Sequence, residues 1–314
     1  MSTNTKLAIS PHIHSGMSTA GIMMDVLIAL LPATVMGVFI FGLRALAVIG
    51  ICVASCVLFE ALFCLITKRP QSIKDFSAAV TGLLLALNLP ANIPLWQCVI
   101  GALFAIIVVK CLFGGLGHNL VNPAIAARVF MLVAFGSMTV AAFPNNQFIK
   151  VDAVAGATPL ANPDQLPDLL TLAVGFHGGA IGETCAVALL VGGIYLMIRR
   201  VITWHTPVFY VGTVFLFSLF MEGFDAVQAL SLVLSGGLLI GAIFMATDYV
   251  TSPPTPLGKL IYGLGCGVMT CLIRYFGNLP EGVSYAILFM NILTPYISHW
   301  TRHKVFGTGG ANHD

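Results

Sequence analysis

The chain has 314 residues, 58% of them hydrophobic and 8% charged, with a net charge of +2 and a mean hydropathy of +0.97. Soluble domains carry about 25% charged residues to cover their surface, so this composition excludes a soluble globular protein and points to the membrane class. The small net charge, with no basic run interleaved with aromatics, excludes nucleic acid as a partner.

In chain order, residues 1–21 are polar, carry Lys6, His12 and His14, and lack an apolar stretch before a small-residue cleavage site. They are expected to form a cytoplasmic N-terminal segment rather than a signal peptide. Apolar runs then predict about ten transmembrane helices. A first half holds 22–41, 45–66, 76–89, 95–113 and 123–143, and a second holds 184–198, 207–221, 227–246, 257–276 and 283–298. Several are shorter than the ~20 residues of a straight span, and Pro and Gly interrupt them, which predicts broken helices around an interior. Residues 144–183 are expected to form an extracytoplasmic loop and 299–314 a cytoplasmic tail.

The distribution of Lys and Arg sets the orientation. Lys6, Lys68, Arg69, Lys74, Lys110, Arg128, Arg199, Arg200, Lys259, Arg302 and Lys304 fall on the side of the N-terminus, against Arg44, Lys150 and Arg274 on the other. Both termini are therefore expected in the cytoplasm.

An internal repeat supports the division into halves. Gly82-Leu-Leu-Leu-Ala-Leu, then Pro94-Leu95, then a span closing in Phe113-Gly114-Gly115, parallels Gly241-Ala-Ile-Phe-Met-Ala, Pro256-Leu257 and Phe276-Gly277-Asn278. These are the third and fourth spans of each half. Five being odd, the halves would have opposite topology. The expected fold is all-α and integral to the membrane, two inverted five-helix repeats with interrupted helices, which places binding sites near the bilayer midplane.

The eight cysteines fall almost entirely inside apolar spans. They read as small packing residues rather than ligands of an iron–sulfur cluster, whose tight loop spacings are missing. Charges in or beside spans are functional candidates, because lipid penalises them. Asp248 stands beside Thr247, Thr251 and Ser252 at an interrupted helix end, a set of oxygens suited to Na⁺ or to a buried flavin; a solvated helix end explains it equally well. His118, Asn119 and Asn122 lie in a Gly-rich turn before Pro123, where Asn122 is placed to cap a helix that Pro123 opens. Asp25 and Glu60, in the first two spans, are expected to pair with a cytoplasmic base or to touch a neighbouring protein. Glu183 opens the sixth span, where a carboxylate favours the helix dipole. No phosphate loop, dinucleotide fingerprint, zinc motif or hydrolase elbow occurs, so the chain holds no complete active site alone.

Residues 152–163 read Asp152-Ala-Val-Ala-Gly156-Ala157-Thr158-Pro159-Leu160-Ala-Asn162-Pro163. Gly156 allows positive φ and Pro159 keeps Thr158 extended, so an accessible hydroxyl on a turn is all that local physics predicts. The run D-A-V-A-G-A-T, however, resembles D-x-x-[ST]-G-A-T, the acceptor at which a flavin transferase joins FMN to threonine through a phosphoester, departing from it at Ala155. With Gly117-His-Asn-Leu-Val-Asn122-Pro123-Ala124, Gly182-Glu183-Thr184 and 245–253 (M-A-T-D-Y-V-T-S-P), the chain resembles the NqrB/RnfD family along almost its whole length. It lacks the N-terminal extension typical of the sodium-pumping quinone reductase member and is more similar to the RnfD side of the family, from the Rnf ion-translocating electron transport complex.

That resemblance implies covalent FMN on Thr158, with Asp152, Gly156 and Ala157 as the attachment motif. It implies a second, non-covalent flavin, riboflavin being the candidate, in the membrane interior. It also implies a bacterial or archaeal cytoplasmic membrane, and partner membrane and cytoplasmic redox subunits in a complex that couples electron transfer between ferredoxin and NAD⁺ to Na⁺ or H⁺ translocation. A redox-inactive transporter or channel, or a structural scaffold, are the rival readings, since inverted repeats with broken helices also describe transporters.

Overall fold

The computed structural model describes residues 18–136, 142, 160, 167–277 and 281–302, and among these the regular elements are all helical. Helix α1 (Thr19–Phe41) starts at Ser18, whose hydroxyl accepts the Gly21 N–H at 3.1 Å, and ends at Gly42 with φ of 75°. Its sequence is apolar on every side, yet Met24, Ile28, Leu31, Val35 and Phe39 stay exposed. Their spacing of three and four residues gathers them on one face. A continuous apolar face of this kind has no place in water; it is the face a lipid contact needs. Helix α2 (Leu43–Ile66) repeats the pattern, with Leu58, Leu62 and Leu65 outside and Val48, Cys52 and Cys56 inside.

Helix α3 (Ser77–Leu87) is only 11 residues long, about 16 Å at 1.5 Å per residue, and therefore ends inside the protein. Helix α4 (Leu95–Leu103) continues as a π-helical stretch, Phe104–Cys111, seen in the Leu112 N–H bonded to Ile107 O at 3.0 Å. Helix α5 (Pro123–Ala134) has Asn122 as its cap, the Asn122 side chain accepting from the Ala124 and Ile125 N–H groups. The expected fifth span ran to residue 143. The helix stops earlier: Phe135 is extended and packs edge-on against Trp96 and Phe130, Gly136 follows, and Ala142 forms an antiparallel bridge with Gly179.

The segment before the second half is not a simple loop. Helix α6 (Leu169–Val174) ends at Gly175 with φ of 102°, and residues 177–186 are buried. The Ile181 and Gly182 N–H groups bond to Leu89 O and Leu87 O at 3.0 and 2.7 Å. The last carbonyls of a helix lack intrahelical partners; because α3 ends inside the protein, another backbone must reach them.

Helices α7 (Ala186–Ile198) and α8 (His205–Met221) follow. The expected eighth span is two pieces, α9 (Ala226–Leu234) and α10 (Leu238–Ile240), the latter running on as π-helical Gly241–Met245, bent by 67° at residues 235–237. Helices α11 (Pro256–Phe276) and α12 (Val283–Trp300) complete the fold. α1, α2 and α11 are long and apolar enough to cross a membrane, the bent α9–α10 pair makes a fourth candidate, and α3, α4 with its π continuation, α5, α7 and α8 are shorter apolar helices.

Two contacts join the first half of the chain to the second: α1 packs on α7 and α5 on α12. At the first, a Cβ on Gly192 would stand 2.1 Å from Ala29 O, so glycine is what lets the two helices approach to backbone distance. All eight cysteines are buried and unbridged, consistent with the packing role expected of them.

Candidate functional site

The densest polar cluster of the interior surrounds Arg128, two turns into α5 and 4% exposed. Its Nη2 lies 2.6 Å from Glu183 Oε1, and the same nitrogen donates to Glu281 Oε2. Its Nη1 donates to Asn88 Oδ1. Asn88 follows α3 and anchors itself by donating to Leu84 O at 2.7 Å. Glu183 belongs to the buried segment after α6, and Glu281 precedes α12. One guanidinium thus ties the end of α3, the segment leading into α7 and the start of α12 to α5. A planar fork of five donors suits such multiple engagement.

The bend between α9 and α10 sits directly on this cluster. The Gly237 N–H donates to Glu281 Oε1 at 3.2 Å, and Arg274 on α11 donates to Leu232 O and Ser235 O at 2.9 and 3.4 Å. The arrangement follows the helix dipoles: a carboxylate at the start of α10, a guanidinium at the end of α9. A Cβ on Gly237 would meet Glu183 Oε1 at 2.7 Å and Arg128 Nη1 at 3.1 Å, so no side chain fits there.

A comparable arrangement stands at the start of α3. Phe76 adopts φ of 61°, and Asp75 accepts from the Ser77 backbone and hydroxyl. Lys110, from the π-helical end of α4, donates to Ser77 Oγ at 2.6 Å and to Glu60 Oε1 at 2.8 Å; Ser72 also donates to Glu60. Lys110 and Glu60 are each 2% exposed. Glu60 therefore pairs internally, with a lysine expected from its position to be one of the cytoplasmic bases. Asp25 pairs with Arg199 at 3.2 Å and accepts from the Tyr195 hydroxyl at 3.0 Å, which is the pairing with a base expected of it.

The remaining sequence-predicted residues divide. Asn122 does more than cap α5: its Nδ2 donates to Met245 O at 3.3 Å, touching the end of the π-helical turn in the second half. Asn122, Asn119, Lys110, Thr247 and Asp248 all line a cavity of about 80 Å³, whose apolar walls include Val26, Leu84 and Phe244. Thr247 bonds back to Ile243 O at 2.6 Å, and Asp248 accepts from the Thr251 hydroxyl at 3.0 Å. Burial pushes the Asp248 carboxyl above the usual carboxylate range, opposed by hydrogen bonds from the Thr251 hydroxyl and from the Val250, Thr251 and Tyr249 N–H groups. His118 is exposed and is not among the residues lining the cavity. A neighbouring cleft of about 260 Å³ shares Thr247 and Tyr249 and carries Arg200 and Lys259. Among the described residues no three His, Cys, Asp or Glu side chains converge as a metal site.

Thr158, Asp152, Gly156 and Ala157 lie outside the described residues. Leu160, two positions beyond Thr158, lies within them. Its Cδ1 occupies the place 2.5 Å from where a Cβ on Gly236 would stand, with Glu281 Oε1 and Arg274 Nη2 at 3.4 and 3.6 Å from the same point. Leu160, just beyond the attachment motif, is thus seated on the α9–α10 bend, beside the Arg128 cluster.

Arg128, Arg274, Lys110, Asn88 and Glu281 are the members of these sites that sequence reasoning missed as such. Arg128 and Lys110 are buried in ion pairs and so drop out of the eleven cations assigned to the cytoplasmic side, which leaves nine. The available signal was position: Arg128 stands inside an apolar run already opened by Asn122 and Pro123, and a charge there calls for an internal partner.

Comparison with known proteins gives a consistent result. The model of the NQR2, RnfD, RnfE family matches residues 6–307. The chain is 46% identical to the RnfD subunit of the Na⁺-translocating ferredoxin:NAD⁺ oxidoreductase complex of Acetobacterium woodii, over 97% of this chain and 96% of that protein. It is 38% identical to the corresponding subunit of the proton-translocating ferredoxin:NAD⁺ oxidoreductase complex of Clostridium ljungdahlii, over 96% of each. It is 34% identical to the corresponding subunit of the ion-translocating oxidoreductase complex of Actinobacillus succinogenes, over 97% of this chain and 98% of that protein.

Proposed function

Because the chain belongs to the NQR2, RnfD, RnfE family, we propose that it is the RnfD-type membrane subunit of an ion-translocating ferredoxin:NAD⁺ oxidoreductase complex, carrying FMN as a phosphoester on Thr158. The observation that carries this reading is end-to-end similarity to RnfD subunits at up to 46% identity, joined to the D-A-V-A-G-A-T run at 152–158. FMN, when attached, supplies one-electron carriage, and the protein supplies position and electrostatics.

The surroundings of Leu160 suit such a group. Arg274 and Arg128 lie at the bend where Leu160 is seated, and two consecutive residues cannot separate Thr158 from Leu160 by more than about 7 Å. Guanidinium groups near a phosphoester or a reduced carrier favour negative charge there. The electron donors and acceptors belong to other proteins of the complex, with which this chain would assemble in a bacterial or archaeal cytoplasmic membrane.

The same reading holds that the fold is two inverted five-helix halves with both termini cytoplasmic. In its favour, each half contains a broken third span whose break is served by a cation from the next helix, Lys110 in one and Arg274 in the other. The contacts α1 on α7 and α5 on α12 join elements of equal rank in the two halves. A non-covalent flavin near Asn122, Thr247 and Asp248, with Na⁺ as the alternative occupant, is part of the reading. The cavity there, at about 80 Å³, is well below the ~300 Å³ at which small-molecule sites begin. It does not hold an isoalloxazine as it stands, and no step is derived through one.

The test is direct. Purified from its native complex and denatured, the wild-type chain should fluoresce under ultraviolet light in a gel. Thr158→Val should abolish the signal with membrane insertion unchanged, while Thr158→Ser should retain some of it. Fluorescence persisting in Thr158→Val would overturn the attachment site, and a non-fluorescent wild type would favour the transporter reading.

A further inference from the structure

Glu183 and Glu281 share one buried guanidinium but not equally. Glu281 accepts an aligned bond from Arg128, accepts the Gly237 N–H at 3.2 Å and has Arg274 near its other oxygen. It is provided for as an anion. Glu183 is 3% exposed, and its Oε1, although 2.6 Å from Arg128 Nη2, has no aligned hydrogen bond. The Arg128 Nε is likewise buried and unbonded. Such a carboxylate is held by charge alone, and leaving a buried acceptor without its hydrogen bond costs about 1–3 kcal/mol. With both glutamates ionised, Arg128 and Arg274 bring the cluster to neutrality. A further negative charge nearby upsets that balance, and Glu183 is the group with the least to lose by taking a proton.

We infer that Glu183 is the proton acceptor that compensates the charge of an electron arriving on the group held at Thr158. The inference rests on the reading of Thr158 given above. The step balances as one electron, delivered to the flavin by a neighbouring redox protein of the complex, and one proton, taken from the water phase by the Glu183 carboxylate to give the neutral acid; oxidation of the flavin reverses both. The neutral acid is then placed to donate to Glu281. Charged or titratable groups facing Glu183 are Arg128 from α5 and Glu281 from the α12 side, with Arg274 of α11 acting on Glu281. On its own segment His177 is buried and bonded to the Gly178 carbonyl at 3.0 Å.

The experiment uses the intact complex in vesicles and two readouts besides turnover. In redox-difference infrared spectra, wild type should gain a protonated-carboxyl band on reduction of the covalent flavin, and Glu183→Gln should lose it. In potentiometric titrations the flavin potential of wild type should fall more steeply with pH than that of Glu183→Gln. The difference should approach about 59 mV per pH unit, the one-electron equivalent of a tenfold change in proton activity. An unchanged slope in Glu183→Gln, with the carboxyl band retained, would overturn the inference. If Glu183→Gln does not assemble, Glu183→Asp must shift the wild-type band, and a wild type without any such band overturns the inference unaided. Absence of covalent flavin from the wild-type chain would instead sink the assignment of Thr158, so the two failures are distinct.

Discussion

Arg128 on α5 donates to Glu281, which lies 153 residues further along the chain and immediately before α12. The bond closes the first half of the sequence on the second, at the point where the bent α9–α10 element meets Leu160.

Arg128→Met is expected to destabilise the protein by about 3–5 kcal/mol, the usual result of stripping one partner from a buried ion pair. It strands Glu183 and Asn88 along with Glu281. Arg128→Lys should recover only part of this, because an ammonium cannot reproduce the planar fork that serves three partners. Thermal unfolding in detergent is the measurement. Equal stability of Arg128→Lys and wild type would mean that the fork geometry is irrelevant.

The Lys110–Glu60 pair makes a matching case on the opposite flank of the fold. Lys110→Met alone should cost about 3–5 kcal/mol, whereas Lys110→Met combined with Glu60→Leu should recover most of the loss, since a well-packed apolar pair can replace a buried ion pair at little cost. A double variant no more stable than the single one would show that Ser72 and Ser77, the other partners of the pair, carry the constraint.

Asp248→Asn removes a charge from the inner cavity at nearly constant volume. Covalent flavin should survive, but redox turnover and ion pumping by the complex should drop about tenfold, equivalent to about 1.4 kcal/mol. Turnover and pumping in vesicles are measured against flavin content. A change within about 0.5 kcal/mol, as for an ordinary surface substitution, would reduce Asp248 to a helix-end residue.

Orientation is tested by thiol labelling. A cysteine placed at Asn146 or Asn162 should react in intact cells with an impermeant reagent, and one at Lys74, an exposed residue, only after the membrane is opened. The reverse pattern would put the attachment loop in the cytoplasm.

Where the helices fall was largely legible, because an apolar run registers locally: each of the ten expected segments contains a helix. The cap at Asn122 and the break before Asp248 were legible for the same reason, since Pro, Gly and Asn act on their neighbours in sequence. What was not legible is what joins distant segments. Asn88 meets Arg128 across 40 residues and Lys110 meets Glu60 across 50, and no local pattern encodes such a meeting. The early end of α5 was missed because its continuation is apolar, and hydropathy does not separate a helix from an extended backbone such as the one that pairs with Gly179 at Ala142. The buried course of residues 177–186 was missed because its signal is the unpaired carbonyls of α3, visible only once α3 is known to end inside the protein.

The separation of Arg128 from its acids also bears on how the protein is made. The ribosome delivers α1 and α2, each long enough to enter the bilayer unaided, and then α5 with a guanidinium that has neither glutamate yet. A bare arginine in the middle of a helix resists entry into hydrocarbon by about 2.5–3.5 kcal/mol on insertion scales. Helix α5, at 12 residues, is also too short to span the bilayer. It must wait in or beside the insertion machinery until the chain reaches Glu183, and it gains its final seat only with Glu281, when α12 alone remains to be threaded. A chain truncated before residue 281 should therefore accumulate as a half-inserted species, open to quality-control proteolysis at α5.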